Sequence, residues 1–143
     1  MARPLRVEFD NAIYHVTSRG NDRKKIFLSK WDYVKFTEYL AGAKEKYGIL
    51  VHAYVLMGNH YHLILQTPQP NLSQVMQYIN GSYTTYFNIK RNRSGHLFQG
   101  RYKAIVVDAD EYLLELSRYI HLNPVRANMV EDPVNYRTFG VSP

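Results

Sequence analysis

With 143 residues the chain is long enough for one hydrophobic core and short for two ordinary domains, so residues 1–143 are expected to form a single domain. Cysteine is absent, which excludes a disulfide scaffold, a thiolate zinc site and a cysteine nucleophile, and no apolar run approaches the ~18 residues of a membrane span; both features fit a cytoplasmic protein. A net charge of +6 and 13 tyrosines against 6 phenylalanines suit a nucleic-acid partner, since cations neutralise phosphate and aromatic faces stack on bases, although a basic protein with a tyrosine-rich core has the same composition.

Asn11 to Ser18 alternates as a strand does, with Ile13, His15 and Thr17 on one face and Tyr14, Val16 and Ser18 on the other. A basic loop from Arg19 to Lys25 follows. Ser29 reads as the cap of a helix, with Asp32 completing a loose capping box. Tyr33, Phe36, Leu40, Ala43 and Tyr47 form its apolar stripe, and Gly48 its stop. Leu50 to Leu56 and His60 to Gln66 read as paired strands. The link Met57-Gly58-Asn59 offers two residues that tolerate positive φ. A second helix is expected from Leu72 to Lys90, built on Leu72, Val75, Met76, Ile79, Tyr83 and Phe87. Arg91 to Gly95 is a basic turn, and Tyr102 to Asp108 another strand. A third helix starts at Asp110, packs Leu113, Leu116 and Ile120, and stops near Pro124. The tail from Ala127 is too short for much more.

This order fits an α+β, ferredoxin-like or RRM-like sandwich, an antiparallel sheet with two helices on one face. The other face stays open for a ligand unless the third helix covers it. Fold alone does not give function.

The sharpest chemical feature is His60-Tyr61-His62. On a strand, residues two apart share a face, so His60 and His62 project together while Tyr61, Leu63 and Leu65 meet the helices. Two imidazoles so placed can grip one divalent cation, or can be two unconnected surface side chains. Neither His15 nor His52 has a partner at this spacing. On the third helix Tyr119 and Asn123 are four residues apart, about 40° around the axis, so they share a face. An amide oxygen is a possible third ligand and a phenol a possible nucleophile. The plain alternative is a half-buried core tyrosine and a helix C-terminal asparagine. Pro124 restricts the residue before it, which keeps His121 as an alternative ligand.

Four blocks carry a resemblance: residues 11–21 (Asn11 to Asn21), 55–63 (Val55 to Leu63), 98–103 (Phe98 to Lys103) and 119–127 (Tyr119 to Ala127). In this order they resemble the single-tyrosine HUH transposases, most nearly the branch of REP-associated tyrosine transposases. The resemblance implies a DNA strand transferase whose C-terminal helix carries the nucleophile, Tyr119. It implies that His60, His62 and Asn123 bind a divalent metal ion, Mg²⁺ or Mn²⁺. It also implies a single-stranded DNA substrate carrying a hairpin, a 5′-phosphotyrosine intermediate, and a monomer or a homodimer.

The chemistry agrees with those residues. A phenol with a pKa near 10 is only about 0.1% ionised at pH 7, so it needs an activated electrophile, which a metal on the scissile phosphate supplies. No phosphate-binding G-x-x-x-x-G-K-[ST] loop is present, consistent with ester exchange that needs no nucleotide. Arg19, Arg23, Lys24, Lys25, Arg91, Arg93, Arg101 and Lys103 fall in or near loops, where they could track a DNA backbone or serve solubility. Replacing either loop cluster, Arg23, Lys24 and Lys25 or Arg91 and Arg93, is expected to leave folding nearly unaffected, since exposed surface changes usually stay within about 0.5 kcal/mol. Two rival functions share much of this pattern. A non-catalytic RRM-like nucleic-acid-binding module would want aromatics rather than paired histidines on its open face. A metal-dependent phosphodiesterase using water would keep His60 and His62 and have no use for Tyr119.

Overall fold

The computed structural model describes residues 8–107 and the backbone of 139–141. Strands β1 (Ala12–Arg19), β2 (Leu50–Leu56), β3 (His60–Thr67), β4 (Lys103–Val106) and β5 (Phe139–Val141) form one sheet in the order β4-β1-β3-β2-β5. Every neighbouring pair is antiparallel. Helices α1 (Lys30–Tyr47) and α2 (Leu72–Lys90) fall between β1 and β2 and between β3 and β4. The split β-α-β arrangement expected from the sequence is therefore present. The expected third helix, with Tyr119, His121 and Asn123, lies outside the described residues.

The core sits between sheet and helices because the two periodicities agree. Period two sends Tyr61, Leu63 and Leu65 to one face of β3 and Tyr14 and Val16 to the same face of β1. All six residues of the α2 stripe, Leu72 to Phe87, are buried against them. From α1, Phe36, Leu40 and Ala43 are buried, with Tyr33 and Tyr47 packed at the margin. Gly48 ends α1 in the left-handed region at φ 69°, as expected of a C-terminal glycine. Asn80 of α2 donates to the Ser18 hydroxyl at 3.2 Å and accepts from the Tyr61 hydroxyl, which ties α2 to the strands that carry the site.

Three local expectations are corrected. The first is the capping box. Ser29 is the N-cap residue of α1, but its side chain makes no capping bond. The Asp32 carboxylate instead accepts the Leu28 backbone N–H at 2.9 Å and is fully buried. It also takes the Tyr86 hydroxyl at 2.8 Å, the Lys90 ammonium at 3.2 Å and the Arg91 guanidinium at 2.6 Å. The carboxylate oxygens are occupied by the Leu28 N–H, one residue before the cap, and by charged donors on α2 rather than by the Ser29 N–H of a capping box.

The second is the turn at 57–59. Neither Gly58 nor Asn59 adopts positive φ. The hairpin closes through the Met57 N–H to the His60 carbonyl at 2.8 Å. The Gly58 carbonyl accepts from Ile26 and Phe27, which binds the basic loop to the hairpin. Positive φ occurs at Asp22 and Arg23 inside that loop.

The third is the tail. Residues 139–141 add β5 beside β2, pairing Val55 with Phe139 and Ala53 with Val141. A three-residue edge strand is too short to show periodicity in sequence, but it satisfies backbone groups that β2 would leave open.

The second face of the sheet is expected to stay open unless the third helix covers it, and that helix lies outside the described residues. The face is not uniformly open: Ala53, Val55, Met57 and Ile64 are buried there, with Ile13 packed against them. Helices α1 and α2 are not the reason, since they cover the opposite face.

Candidate functional site

Antiparallel register places the site residues in rows. Thr17 of β1 lies opposite His62 of β3 and Lys103 of β4, and Arg19 lies opposite His60. Residues directly opposite share a face, so His60, His62, Thr17 and Lys103 all belong to the face away from the helices. His60 and His62 are half-buried, with ring centroids 5.1 Å apart and planes at 86°.

Each imidazole has a partner at Nδ1. His60 Nδ1 lies 2.8 Å from Asn59 Oδ1, and His62 Nδ1 lies 2.9 Å from His15 Nε2. An amide oxygen can only accept, so His60 carries its proton on Nδ1 and its lone pair on Nε2. Burial pushes the His62 pKa down to about 3, with help from His60 and His15. Burial first, then the charge of Arg19, lowers that of His60. Burial also lowers that of His15. All three are therefore neutral at neutral pH, the form in which imidazole ligates metals.

A cavity of about 590 Å³ opens in front of this pair. Arg19, Arg23, Arg101 and Lys103 line it together with Asn59, Gln99 and both histidines. Arg19 is steadied by Gln99, whose side-chain oxygen accepts from it at 3.0 Å. Four of the eight loop cations singled out in the sequence thus meet the two histidines. The chain positions them through local backbone contacts: Gly20 N–H bonds the Asn59 carbonyl at 2.8 Å, and Gln99 N–H bonds the Arg19 carbonyl at 2.9 Å. Gly20 tolerates no side chain, because a Cβ there would stand 2.1 Å from the Lys24 carbonyl oxygen.

The other four cations lie elsewhere. Lys24, Lys25, Arg91 and Arg93 line a second cleft of about 480 Å³, floored by Phe87 and Leu97. Arg23 and Lys24 are neighbours in sequence but serve different cavities. Arg91 also departs from the expectation of a purely surface charge, since its side chain is 20% exposed and paired with buried Asp32. Arg93 donates to Asn88 Oδ1 at 2.6 Å and to the His96 carbonyl at 3.2 Å.

Sequence spacing missed His15. Its partner is three-dimensional, on the strand paired with its own, although the alternation of β1 had already put it on the face of the two histidines. Tyr119 and both suggested third ligands, Asn123 and His121, lie outside the described residues. Among the described residues no group of three His, Cys, Asp or Glu is placed to hold a metal ion. The donors present fit part of a divalent site: two neutral imidazoles on one face, each with its Nδ1 engaged. No helix among the described residues is long and apolar enough to cross a membrane.

Comparison with known proteins follows the same line. The family described as IS200-like transposases matches residues 8–123. A solved REP-associated tyrosine transposase bound to a REP hairpin is similar in fold, with a TM-score of 0.78 at 17% identity; the match covers 97% of this chain and 82% of that one. A protein assigned as a transposase, from Deinococcus radiodurans r1, aligns with a TM-score of 0.56 at 16% identity, covering 84% of this chain and 94% of that one. No curated protein matches the chain. At these identities the solved structures speak for the fold, and the family match spans most of the chain, from before β1 to Asn123: the chain belongs to the IS200-like transposase family.

Proposed function

We propose that this protein is a metal-dependent, single-strand DNA endonuclease and strand transferase of the REP-associated branch, with Tyr119 as its nucleophile. The observation that carries the reading is the cavity in which His60 and His62 meet Arg19, Arg23, Arg101 and Lys103, in a chain of a transposase family. Paired neutral imidazoles suit a divalent cation, and the surrounding cations suit the phosphates of a strand. The hairpin comes from the similar structure described as bound to one.

In this reading His60, His62 and Asn123 hold Mg²⁺ or Mn²⁺. When bound, the ion would neutralise charge on the scissile phosphate and fix its in-line geometry. The Tyr119 oxygen attacks phosphorus and the bond to the 3′ oxygen breaks. The phenol loses its proton and the departing 3′ oxygen gains one. One phosphodiester is exchanged for a 5′-phosphotyrosine ester, so rejoining needs no nucleotide cofactor. Arg19, with Gln99 bracing it, and Arg101 would hold phosphate oxygens near the break. Lys24, Lys25 and Arg93 would take the strand or the hairpin further along.

The experiment is incubation of the protein with end-labelled hairpin DNA and Mn²⁺. Cleavage with a protease-sensitive protein–DNA product is expected. Cleavage without such a product would favour a water-using phosphodiesterase, and binding without cleavage an RRM-like module.

Two further outcomes are expected. His60→Ala or His62→Ala should lower Mn²⁺ affinity, read by calorimetry on DNA-free protein, by more than the roughly 10–100-fold typical of losing an outer-shell partner. Unchanged affinity would return both residues to ordinary surface imidazoles. Replacing Lys24 and Lys25 together by alanine should flatten the plot of log affinity against log salt by about 0.7 for each phosphate no longer neutralised. An unchanged slope would assign the second cleft to solubility.

A further inference from the structure

We infer that His15 is a positioning residue for the metal site: its Nε2 accepts the Nδ1 proton of His62 and so fixes His62 in the tautomer whose lone pair is on Nε2. This inference rests on the proposed metal role of His62. The two rings lie side by side rather than face to face. Their centroids are 5.1 Å apart, their planes differ by 26°, and the nitrogens are 2.9 Å apart, the geometry of an in-plane N–H···N bond.

Two neutral imidazoles can share one proton in either sense, and only one sense suits a ligand. If His15 donated, His62 would carry its own proton on Nε2 and could not offer that nitrogen to a cation. A cation on His62 Nε2 requires the other sense, with the His62 proton on Nδ1 and directed at His15. The Thr17 hydroxyl stands 3.5 Å from the same His15 Nε2, at the outer limit of hydrogen bonding. A hydroxyl can donate or accept there, so Thr17 is compatible with His15 Nε2 as the acceptor and does not by itself select that sense. His60 follows the same rule by different means, since Asn59 Oδ1 accepts from its Nδ1. Both histidines of the pair are thus held by an acceptor at Nδ1, one from the preceding residue and one from the neighbouring strand. Outer partners of this kind orient the ring and raise its basicity as a ligand.

His15 reaches this position through register. It lies opposite Ile64 on β3, so His62 is its diagonal neighbour on the same face. That diagonal brings two ring edges together where directly opposed rings would crowd.

Three proteins test the inference: wild type, His15→Phe, which keeps a planar ring and loses the acceptor, and His15→Gln, which restores an acceptor oxygen. Heteronuclear NMR of the imidazole nitrogens in metal-free protein should show His62 protonated on Nδ1 in wild type and in His15→Gln, and mainly on Nε2 in His15→Phe. Calorimetric Mn²⁺ affinity should fall about 10–100-fold in His15→Phe and recover largely in His15→Gln. Thermal unfolding of the apo proteins separates this from loss of structure. Wild-type Mn²⁺ affinity in folded His15→Phe would overturn the inference while leaving the metal site standing, as would a His62 tautomer unchanged by that substitution. No Mn²⁺ binding by wild type would overturn both.

Discussion

Tyr119→Phe is expected to bind hairpin DNA as wild type does and to lose cleavage by about 10⁴-fold or more, the scale on which removal of a nucleophile acts. The substitution deletes one hydroxyl and keeps the ring, so the apolar volume of the side chain is preserved. The magnitude follows from the chemistry. Without the phenol oxygen no phosphotyrosine ester can form, and only adventitious attack by water remains. Rates on end-labelled hairpin DNA at saturating enzyme, beside affinities from a binding titration, give the two readouts. Cleavage near the wild-type rate would mean that water is the nucleophile and that the histidines serve a phosphodiesterase.

Arg91→Ala should destabilise the protein by about 2 kcal/mol, the scale of losing charge-assisted hydrogen bonds to a buried carboxylate that keeps Lys90 as its remaining cation. In thermal terms that is a fall of about 6 °C. The Asp32 carboxylate that Arg91 meets at 2.6 Å is fully buried, and it joins the start of α1 to the end of α2. Arg93, equally basic in sequence, hydrogen-bonds only exposed groups and should cost less than about 1 kcal/mol when replaced.

The same network carries a pH dependence. Burial alone raises the Asp32 pKa, but the Leu28 N–H, the Tyr86 hydroxyl, Arg91 and Lys90 together hold it below the ordinary aspartate value. A carboxyl depressed in the folded state adds stability above its unfolded pKa, near 3.9, and loses it as pH falls through the lower folded value. Unfolding midpoints of wild type and Asp32→Asn should therefore converge as pH drops below about 4. Parallel curves would show that Asp32 is not ionised in the fold.

The fold was legible where periodicity is long. The α2 stripe and the alternation of β3 each specify a face, and both are observed without exception for the residues named. The role of Asp32 was not legible, because its partners sit more than fifty residues away and a charged residue three positions after a serine suits a cap equally well. The strand at 139–141 escaped because three residues carry no period. In the site, His60 and His62 were visible as a pair on one strand, whereas the bond between His62 and His15 depends on which strands pair and in what register. The division of the loop cations between two clefts was hidden for the same reason. Arg23 and Lys24 look alike in sequence, yet they line different cavities beside a turn in which Asp22 and Arg23 both take positive φ.

The most direct measurement is to trap the protein on end-labelled hairpin DNA with Mn²⁺, digest it, and map the DNA-linked peptide by mass spectrometry. The expected result is a single adduct on Tyr119, joined to the 5′ end of the downstream fragment. An adduct on any other tyrosine, or cleaved DNA with no linked peptide, would contradict a strand transferase that works through Tyr119.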